Sequence, residues 1–253
     1  MSASEQREAV PGFVQPMLAK LSANLPRDDE AWAFEMKWDG IRAIVSVSDA
    51  SVRLSTRNHI DRTKEYPELD ELGKQLKDHG AVLDGEIVAF DENGRPTFEA
   101  WQQRGGYENG RHTTPDRQVP IAYIIFDLLF LDGRSLESLP YTERRALLEG
   151  LKLQGSHWMV PPHAVGAGAH MLQTSREQGF EGVVAKRLTS RYEAGKRTGA
   201  WTKVKNHMRQ EFVVGGWIPG EGRRSGRIGA LLIGYYEAGK LISAGSVLSL
   251  IHI

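Results

Sequence analysis

A lysine within a strand-like segment is the first candidate for chemistry in this sequence. Lys37 lies between the apolar parts of AFEMKWDGIR (33–42) and is followed by Asp39 and Gly40. Burying an ammonium group is costly unless the group is paired or neutralised. Lys37 is therefore either a solvent-facing residue beside an Asp-Gly hairpin turn, or a nucleophile whose free amine attacks an electrophilic phosphorus or carbonyl carbon.

Two carboxylates lie inside a second strand-like segment, AVLDGEIVAF (81–90). Asp84 and Glu86 either line one face of a half-exposed strand or are held there to bind a metal ion or a sugar hydroxyl. The residues alone leave both possibilities open. The eight histidines show no ligand spacing, which argues against a zinc site.

Basic residues accumulate in 186–209, where Glu193 is the single acid. They are Lys186, Arg187, Arg191, Lys196, Arg197, Lys203, Lys205 and Arg209. A charge run is usually a solvated face. Because this one follows a Gly-Val-Val strand, phosphate binding is the alternative.

Apolar periodicity predicts the elements that position these residues. The predicted strands are 32–47 with a break at 37–40, 52–56, 81–90, 119–131, 182–186, 201–205, 212–217, 228–236 and 241–244. The predicted helices are 63–77, 98–104, 142–151 with Thr142 as N-cap, and 169–178 closed by Gly179. Mixed elements give way to strands alone near 206–210, which predicts a domain boundary there.

The composition is that of an ordinary globular protein, with 253 residues, a formal net charge of zero and no cysteine. The lack of cysteine excludes a disulfide framework, a thiolate metal site and a thiol nucleophile. With no apolar run of signal-peptide or membrane-span length, we expect a cytoplasmic location and no membrane partner.

Six segments, in order, resemble the motifs of the covalent nucleotidyltransferases, the superfamily of ATP-dependent DNA ligases, RNA ligases and mRNA capping enzymes. They are KWDGIR (37–42), STRN (55–58), LDGEIVAF (83–90), FDLLFLDG (126–133), EGVVAKR (181–187) and WTKVK (201–205). The flanking text, including PMLAK, EYPEL, RYEAGKR, VVGGW and GEGRRSGRIGALLIG, most resembles the ligase domain of bacterial ligase D, the non-homologous end-joining ligase. The resemblance covers about 16–247.

The resemblance implies an α+β fold. A nucleotidyltransferase (adenylation) domain of antiparallel sheets flanked by helices would span 1–207, and a truncated OB-fold β-barrel would span 208–247. About three strands follow Arg209, where the family has five. The last six residues, LSLIHI (248–253), depart from the family and are interpreted as a non-native tail.

The resemblance also assigns chemistry to Lys37, which would attack the α-phosphate of ATP while pyrophosphate leaves. Lys203, Lys205 and a divalent metal, Mg²⁺ or Mn²⁺, would favour its free amine. Glu181 would hold the metal. Glu86 would bind the ribose hydroxyls or act as a second, water-mediated metal ligand.

The remaining assignments concern base and phosphate. Phe126 would stack on adenine and Glu35 would select the base. The expected phosphate ligands are Arg42, Arg57, Lys186 and Arg197, beside Lys203 and Lys205. Asp84 and Asp127 are interpreted as structural, Asp84 through turn or backbone hydrogen bonds.

The leading hypothesis is a monomeric ATP-dependent DNA ligase that seals nicks or ends in duplex DNA during repair. End-joining proteins, or fused polymerase and phosphoesterase domains, are expected partners. An RNA ligase or a GTP-using capping enzyme is the alternative enzyme, and a non-catalytic nucleic-acid end-binding module is the alternative of another class. Because the family orients pyrophosphate with basic residues late in the OB-fold, slow self-adenylation is expected of the chain as given.

Overall fold

The computed structural model describes residues 8–105, 107–108, 111–112, 116–206, 211–222 and 225–248. These residues form two compact units, within Met1–Asn206 and His207–Ile253. Among the described helices, none combines the length and apolar character needed to cross a membrane.

Strands dominate the described residues. In chain order they are β1 (Lys20–Leu21), β2 (Trp32–Lys37), β3 (Ile41–Ser48), β4 (Ser51–Thr56), β5 (Ala81–Ala89), β6 (Tyr107–Glu108), β7 (Arg111–His112), β8 (Ile121–Leu131), β9 (Arg134–Ser135), β10 (Trp158–Met159), β11 (Ala164–Val165), β12 (Gly182–Arg187), β13 (Trp201–Lys205), β14 (Val213–Pro219), β15 (Ile228–Glu237) and β16 (Lys240–Leu248). The α-helices are α1 (Asp70–Gln75), α2 (Phe98–Arg104), α3 (Tyr141–Gly150) and α4 (Gly168–Glu177), with single 3-10 turns at Asp29–Ala31, Thr63–Glu65 and Pro67–Leu69.

The first sheet of the larger unit has the strand order β1-β13-β12-β2-β11. Its central strands β2, β12 and β13 pair antiparallel, with Lys37 opposite Gly182 and Gly182 opposite Lys205. Alternate residues of a strand share one face. The register therefore brings the polar residues of three strands onto the same face. Trp32, Phe34 and Ala185 pack against α4 residue Met171.

The second sheet of this unit has the order β10-β8-β5-β3-β4, with β9 paired to β8. Strands β5 and β8 are buried almost throughout, as expected for a sheet covered on both faces. The β5–β8 register shifts between Asp84, opposite Asp127, and Gly85, opposite Ile125. Phe126 is thus the extra residue of a β-bulge, an irregularity that redirects a side chain.

Two further apolar clusters hold this unit together. The larger one packs one face of the second sheet against the helices, with Leu72 of α1, Ala100 of α2 and Leu148 of α3. The other cluster joins Ile44 and Val82 of the second sheet to Met17, Tyr192 and Trp201. Because Trp201 belongs to β13, this cluster packs residues of the two sheets against each other.

The smaller unit contains an antiparallel meander in the order β14-β15-β16. All three strands were predicted, although β16 runs on to Leu248 rather than ending near 244. Of the predicted non-native tail, 249–253 lie outside the described residues. So do 207–210, where the domain boundary was predicted, and the boundary therefore stays a prediction.

The predicted α+β class is confirmed, and most predicted elements are present. The predicted 63–77 helix is wrong in its first half, because Pro67 interrupts it and 3-10 turns replace the α-helix until Asp70. Thr142 is not the N-cap of α3. The helix starts at Tyr141 after Pro140, with no side-chain cap.

Candidate active site

A cleft of about 540 Å³ lies in the larger unit, with walls from both sheets and from α2. This volume is in the range of small-molecule sites. Residues at its lining are Leu18, Ala19, Glu35, Met36, Lys37, Trp38, Gly40, Ile41, Arg42, Thr56, Arg57, Asn58, Ile60, Arg62, Glu65, Glu86, Trp101, Phe126, Val184, Lys186, Arg197, Trp201 and Lys203. All predicted binding residues line it except Glu181 and Lys205, which lie beside Lys37.

Lys37 ends β2 and is largely withdrawn from solvent, with 18% of its side chain exposed. Its Nζ donates a hydrogen bond to Glu181 Oε2. The other oxygen of that carboxylate, Oε1, lies 2.6 Å from Lys205 Nζ. Glu181 immediately precedes Gly182, the cross-strand partner of both lysines. One carboxylate therefore holds two cations at the end of three paired strands.

The charges around Lys37 shift the protonation of its neighbours. Burial acts to raise the pKa of Glu181, but hydrogen bonds from Lys205 and Lys37 outweigh it and lower that pKa. Burial, followed by repulsion from Lys37 and Lys205, lowers the pKa of Lys203. Burial and Glu181 raise the pKa of Asp39. The site thus gathers cations that suit a polyphosphate.

Glu35 and Lys186 form a buried ion pair deeper in the cleft, with Nζ and Oε1 2.9 Å apart. Tyr141 donates to the same Glu35 oxygen at 2.7 Å, and Lys186 also donates to the carbonyl of Phe126 at 2.9 Å. Burial lowers the pKa of Lys186 although Glu35 opposes the shift. Its predicted phosphate contact stays a prediction, since in this arrangement the ammonium already has two partners.

Arg42 is held by Asp84, whose side chain is completely buried. Nε and Nη2 of Arg42 donate to the two carboxylate oxygens at 2.5 and 2.6 Å. Tyr192 donates to the same carboxylate at 2.6 Å and accepts from the Met17 amide at 2.9 Å. Asp84 was interpreted as a structural residue that makes turn or backbone hydrogen bonds. That choice of partners is wrong, because Asp84 accepts hydrogen bonds from the side chains of Arg42 and Tyr192 and so fixes Arg42.

The bulge in β8 places the ring of Phe126 at the cleft, close to two cations. Arg42 Cζ lies 4.7 Å and Lys186 Nζ 4.5 Å from the ring centroid. Glu86 lies opposite Arg42 in the β3–β5 register. Burial raises the pKa of Glu86 to about 7, although Arg42 and Lys37 oppose the shift. This carboxyl group therefore titrates near neutrality.

Arg57 and Arg197 are exposed at the rim of the cleft. Arg197 Nη1 donates to the Ala19 carbonyl at 2.8 Å, which leaves other guanidinium hydrogens free for a ligand. Asp127, by contrast, pairs with Arg144 away from the cleft lining, in keeping with its predicted structural role.

The described residues contain no group of three or more His, Asp or Glu side chains able to hold a metal ion. The carboxylates near Lys37 are Glu181, Glu86 and Asp39, and the first two are the predicted metal ligands. Mg²⁺ commonly uses one or two protein carboxylates together with substrate phosphates. The donor set therefore fits a metal that arrives with a nucleotide rather than one in an all-protein cage.

Sequence reasoning missed the residues that support the site. Tyr141 and Arg145 lie against Glu35, with Arg145 Nη1 3.9 Å from the carboxylate. Tyr192 supports Asp84, and Trp101 of α2 lines the cleft. Tyr141 and Tyr192 lie outside the six motifs and carry no spacing signal. Only the tertiary fold brings them to the cleft.

Comparison with known proteins gives consistent results. A family model for the ATP-dependent DNA ligase domain matches residues 16–205. The multifunctional non-homologous end joining DNA repair protein LigD of Mycobacterium tuberculosis H37Rv is 43% identical over 232 residues, which are 92% of this chain and 29% of that protein. The SPbeta prophage-derived DNA ligase-like protein LigB of Bacillus subtilis 168 is 36% identical, over 81% of this chain and 72% of that protein.

Solved structures agree with the sequence relatives. A mycobacterial DNA ligase D complexed with ATP and MES matches with a TM-score of 0.68 and 41% identity, over 93% of this chain and 72% of that chain. The ligase domain of M. tuberculosis LigD matches with a TM-score of 0.66, also at 41% identity, over 93% of this chain and 73% of that one.

Fold and cleft together define the class of covalent nucleotidyltransferases. Within that class, the chain belongs to the ATP-dependent DNA ligase domain family. The chain spans less than a third of the length of the mycobacterial relatives.

Proposed function

We propose that this chain is an ATP-dependent DNA ligase that acts through a Lys37–AMP intermediate. The lysine nitrogen attacks the α-phosphorus of ATP, the bond to the β-phosphate oxygen breaks, and pyrophosphate leaves. AMP then passes to the 5′-phosphate at a DNA break, and the adjacent 3′-hydroxyl displaces it. The observation that carries the proposal is the Lys37 amine at the floor of a nucleotide-sized cleft, hydrogen-bonded to Glu181.

The other residues of the cleft divide the recognition of ATP. The Phe126 ring offers a face for adenine and Glu35 contributes to base selection. Glu86 lies on the cleft wall and would bind the ribose hydroxyls. Lys203 and Lys205, with Arg42, Arg57, Lys186 and Arg197, would bind phosphate groups and offset their charge.

Glu181 would hold a divalent ion, Mg²⁺ or Mn²⁺, with Glu86 as a second ligand through water. Such an ion neutralises charge on the phosphates when it is bound. For attack, the Lys37 amine must lose the proton that it now shares with Glu181. With that ion bound, Glu181 would stabilise the proton of Lys37 less strongly, and the positive charges of Lys203 and Lys205 would also favour the free amine.

The substrate follows from the relatives. Proteins named for non-homologous end joining match most of the chain, so nicked or broken duplex DNA is the proposed substrate. Polymerase or phosphoesterase domains fused to the ligase, and separate end-joining proteins, are proposed partners. A cytoplasmic, nucleoid-associated monomer is the proposed working form.

The test is covalent labelling of the intact protein by ATP carrying a labelled α-phosphate, in the presence of Mg²⁺. The wild-type chain should gain one AMP, whereas Lys37→Ala should gain none because no amine remains at the floor of the cleft. Lys77→Ala, which removes an exposed lysine elsewhere, is the matched control.

Three outcomes contradict the proposal. Labelling by GTP in place of ATP indicates a capping-type enzyme, and sealing of an RNA but not a DNA nick indicates an RNA ligase. Unlabelled wild-type protein that binds DNA ends as tightly as Lys37→Ala indicates a non-catalytic end-binding module.

A further inference from the structure

Arg42, Asp84, Tyr192 and Met17 form a closed ring of hydrogen bonds. The side chains of Arg42 and Tyr192 both donate to the Asp84 carboxylate. The Met17 amide donates to the Tyr192 hydroxyl, and the Met17 carbonyl accepts from Arg42. Arg42 lines the cleft, whereas the other three residues lie behind it. They can therefore act on a bound nucleotide only through Arg42.

The direction of the hydrogen bonds made by Tyr192 is fixed. A backbone amide can only donate, so the Met17 N–H occupies an acceptor position of the hydroxyl at 2.9 Å. The hydroxyl proton is then directed to Asp84 Oδ2, 2.6 Å away. Burial, followed by the charge of Asp84, raises the pKa of Tyr192 well above its ordinary value. The hydroxyl therefore keeps its proton and is a constant donor to Asp84.

The ring also fixes which part of Arg42 faces a ligand. Nε and Nη2 each donate to one oxygen of Asp84, and Nη2 donates to the Met17 carbonyl as well, at 3.2 Å. The donors that remain are the two N–H groups of Nη1. A bidentate pair with a carboxylate sets the plane of a guanidinium. The position of the Asp84 carboxylate therefore decides where Nη1 points.

The aromatic ring of Tyr192 packs separately from its hydroxyl. It contacts Trp201 edge to face, with centroids 5.6 Å apart and planes at 83°. Arg144 Cζ lies 5.6 Å from the centroid of the same ring. A phenylalanine would retain these contacts and lose only the hydrogen bonds of the hydroxyl. Positioning by Tyr192 can therefore be separated from its packing by the removal of one oxygen atom.

We propose that Tyr192 is a positioning residue for nucleotide binding, whose hydroxyl acts through Asp84 to orient Arg42 so that Nη1 meets a phosphate group of ATP. The proposal rests on the proposed function, which assigns a phosphate to Arg42, and it adds a residue that lies outside the six sequence motifs. Without the Tyr192 hydroxyl, Asp84 is held by Arg42 alone, and the pair can turn together. Loss of the hydroxyl should therefore weaken contacts with phosphate and spare contacts with the base.

The test compares two ligands by isothermal titration calorimetry in the presence of Mg²⁺. One is α,β-methylene-ATP, which carries the phosphates but cannot release pyrophosphate, and the other is adenosine, which carries none. Tyr192→Phe should weaken binding of the ATP analogue about tenfold, because the lost hydrogen bond is made to a charged group. Adenosine binding should stay unchanged. In an Arg42→Gln background, Tyr192→Phe should have no further effect on the analogue.

Tyr123→Phe is the matched control. It also removes a fully buried hydroxyl, but that hydroxyl donates to the backbone carbonyls of Ala43 and Leu83 and does not line the cleft. This variant should bind both ligands as wild type does. Thermal unfolding of each variant checks that it is folded. If Tyr192→Phe does not fold, Asp84→Asn interrupts the same ring and should also weaken the analogue selectively.

Several outcomes overturn the proposal. They are equal weakening of the analogue and adenosine by either variant, an analogue affinity that Tyr192→Phe leaves unchanged, and a loss of the same size in the Arg42→Gln background. A wild-type chain that binds the analogue no more tightly than adenosine overturns it as well. Covalent labelling is a separate measurement. A chain that binds the analogue as expected but gains no AMP on Lys37 contradicts the proposed function alone.

Discussion

At the scale of single residues, Glu181 holds Lys37, the proposed nucleophile. Its two oxygens are divided between Lys37 and Lys205, and its low pKa keeps it charged. A protonated lysine paired with a carboxylate is stable but not nucleophilic. We propose that this pairing keeps Lys37 from acting as a nucleophile until a ligand changes the partners of Glu181.

The buried carboxyl group of Glu86 makes the stability of the folded chain depend on pH. Burial raises the pKa of Glu86 to about 7 in the folded chain, so the folded state binds the proton more tightly than the unfolded state. Protonation of Glu86 therefore stabilises the folded chain. This stabilisation is complete below the ordinary pKa of a glutamate and is lost as the pH rises toward about 7. At pH 8 without metal or nucleotide, Glu86→Gln should be more stable than wild type by up to about 3 kcal/mol.

Urea unfolding at pH 5 and pH 8 measures this effect. The advantage of Glu86→Gln should be small at pH 5 and large at pH 8. Glu71→Gln, which changes an exposed carboxylate, should show no such difference. An equal effect of Glu86→Gln at both pH values would mean that Glu86 does not titrate between them.

The sequence predicted the residues that line the cleft better than it predicted their partners. Motif order pointed to Lys37 and Glu181, and both meet in the structure. The interpretation of Asp84 failed because its partners, Arg42 and Tyr192, lie 42 and 108 positions away along the chain. Such pairs depend on register and on packing between sheets, which a single sequence does not encode in any local pattern.

At the scale of elements, an ion pair without access to water fixes α3 on the second sheet. Arg144 donates to both oxygens of Asp127 at 2.8 and 2.9 Å, and neither side chain is more than 1% exposed. Arg144 also donates to the carbonyls of Leu139 and Ser190. Because α3 also carries Tyr141 and Arg145, this pair indirectly positions Glu35.

Arg144→Met should therefore lower the free energy of unfolding by about 3–5 kcal/mol, since it leaves the Asp127 carboxylate buried without an opposite charge. Urea unfolding at neutral pH measures the loss. The matched control is Lys74→Met, which removes a fully solvated pair with Glu71 and should change stability far less. Equal losses in the free energy of unfolding for the two variants would show that burial of the ion pair does not determine the size of the loss.

Element prediction succeeded where local patterns decide the structure. Apolar runs located β5 and β8, and α2 has the predicted bounds. The bulge that turns Phe126 to the cleft arises from the pairing of β5 with β8. It was invisible in the sequence of either strand, because a bulge is a property of two strands together.

At the scale of the whole molecule, zero net charge coexists with a cationic segment. Lys186 is buried with Glu35, so it adds nothing to the surface. Among the described residues of this segment, the basic side chains that reach solvent at least in part are Arg187, Arg191, Lys196, Arg197, Lys203 and Lys205. Nucleic-acid affinity should therefore depend on this segment rather than on overall charge.

We expect the affinity for nicked duplex DNA to fall at least about tenfold between about 50 and 200 mM KCl. Lys196→Gln should reduce the slope of log affinity against log salt by about one, because one fewer counterion is released. Lys77→Gln, on a remote surface, should leave the slope unchanged. Fluorescence anisotropy measures the affinity and its salt dependence. An affinity that does not change with salt concentration would exclude phosphate contacts by this segment.

The rate of self-adenylation is a property of the chain as a whole. Slow formation of Lys37–AMP by the chain as given stays a prediction. The labelling experiment described above, followed over time, measures that rate directly.

The contacts of Met17 have a consequence for oxidative damage. With no cysteine in the chain, peroxides would act chiefly on thioethers, and Met159 is 38% exposed whereas Met17 is fully buried. The sulfur of Met17 accepts a hydrogen bond from the Glu193 amide at 3.2 Å. The backbone carbonyl of Met17 accepts one from Arg42 Nη2, also at 3.2 Å. Surface sulfoxides would therefore form first, and the methionine that supports Arg42 would keep its reduced sulfur until the fold itself opened.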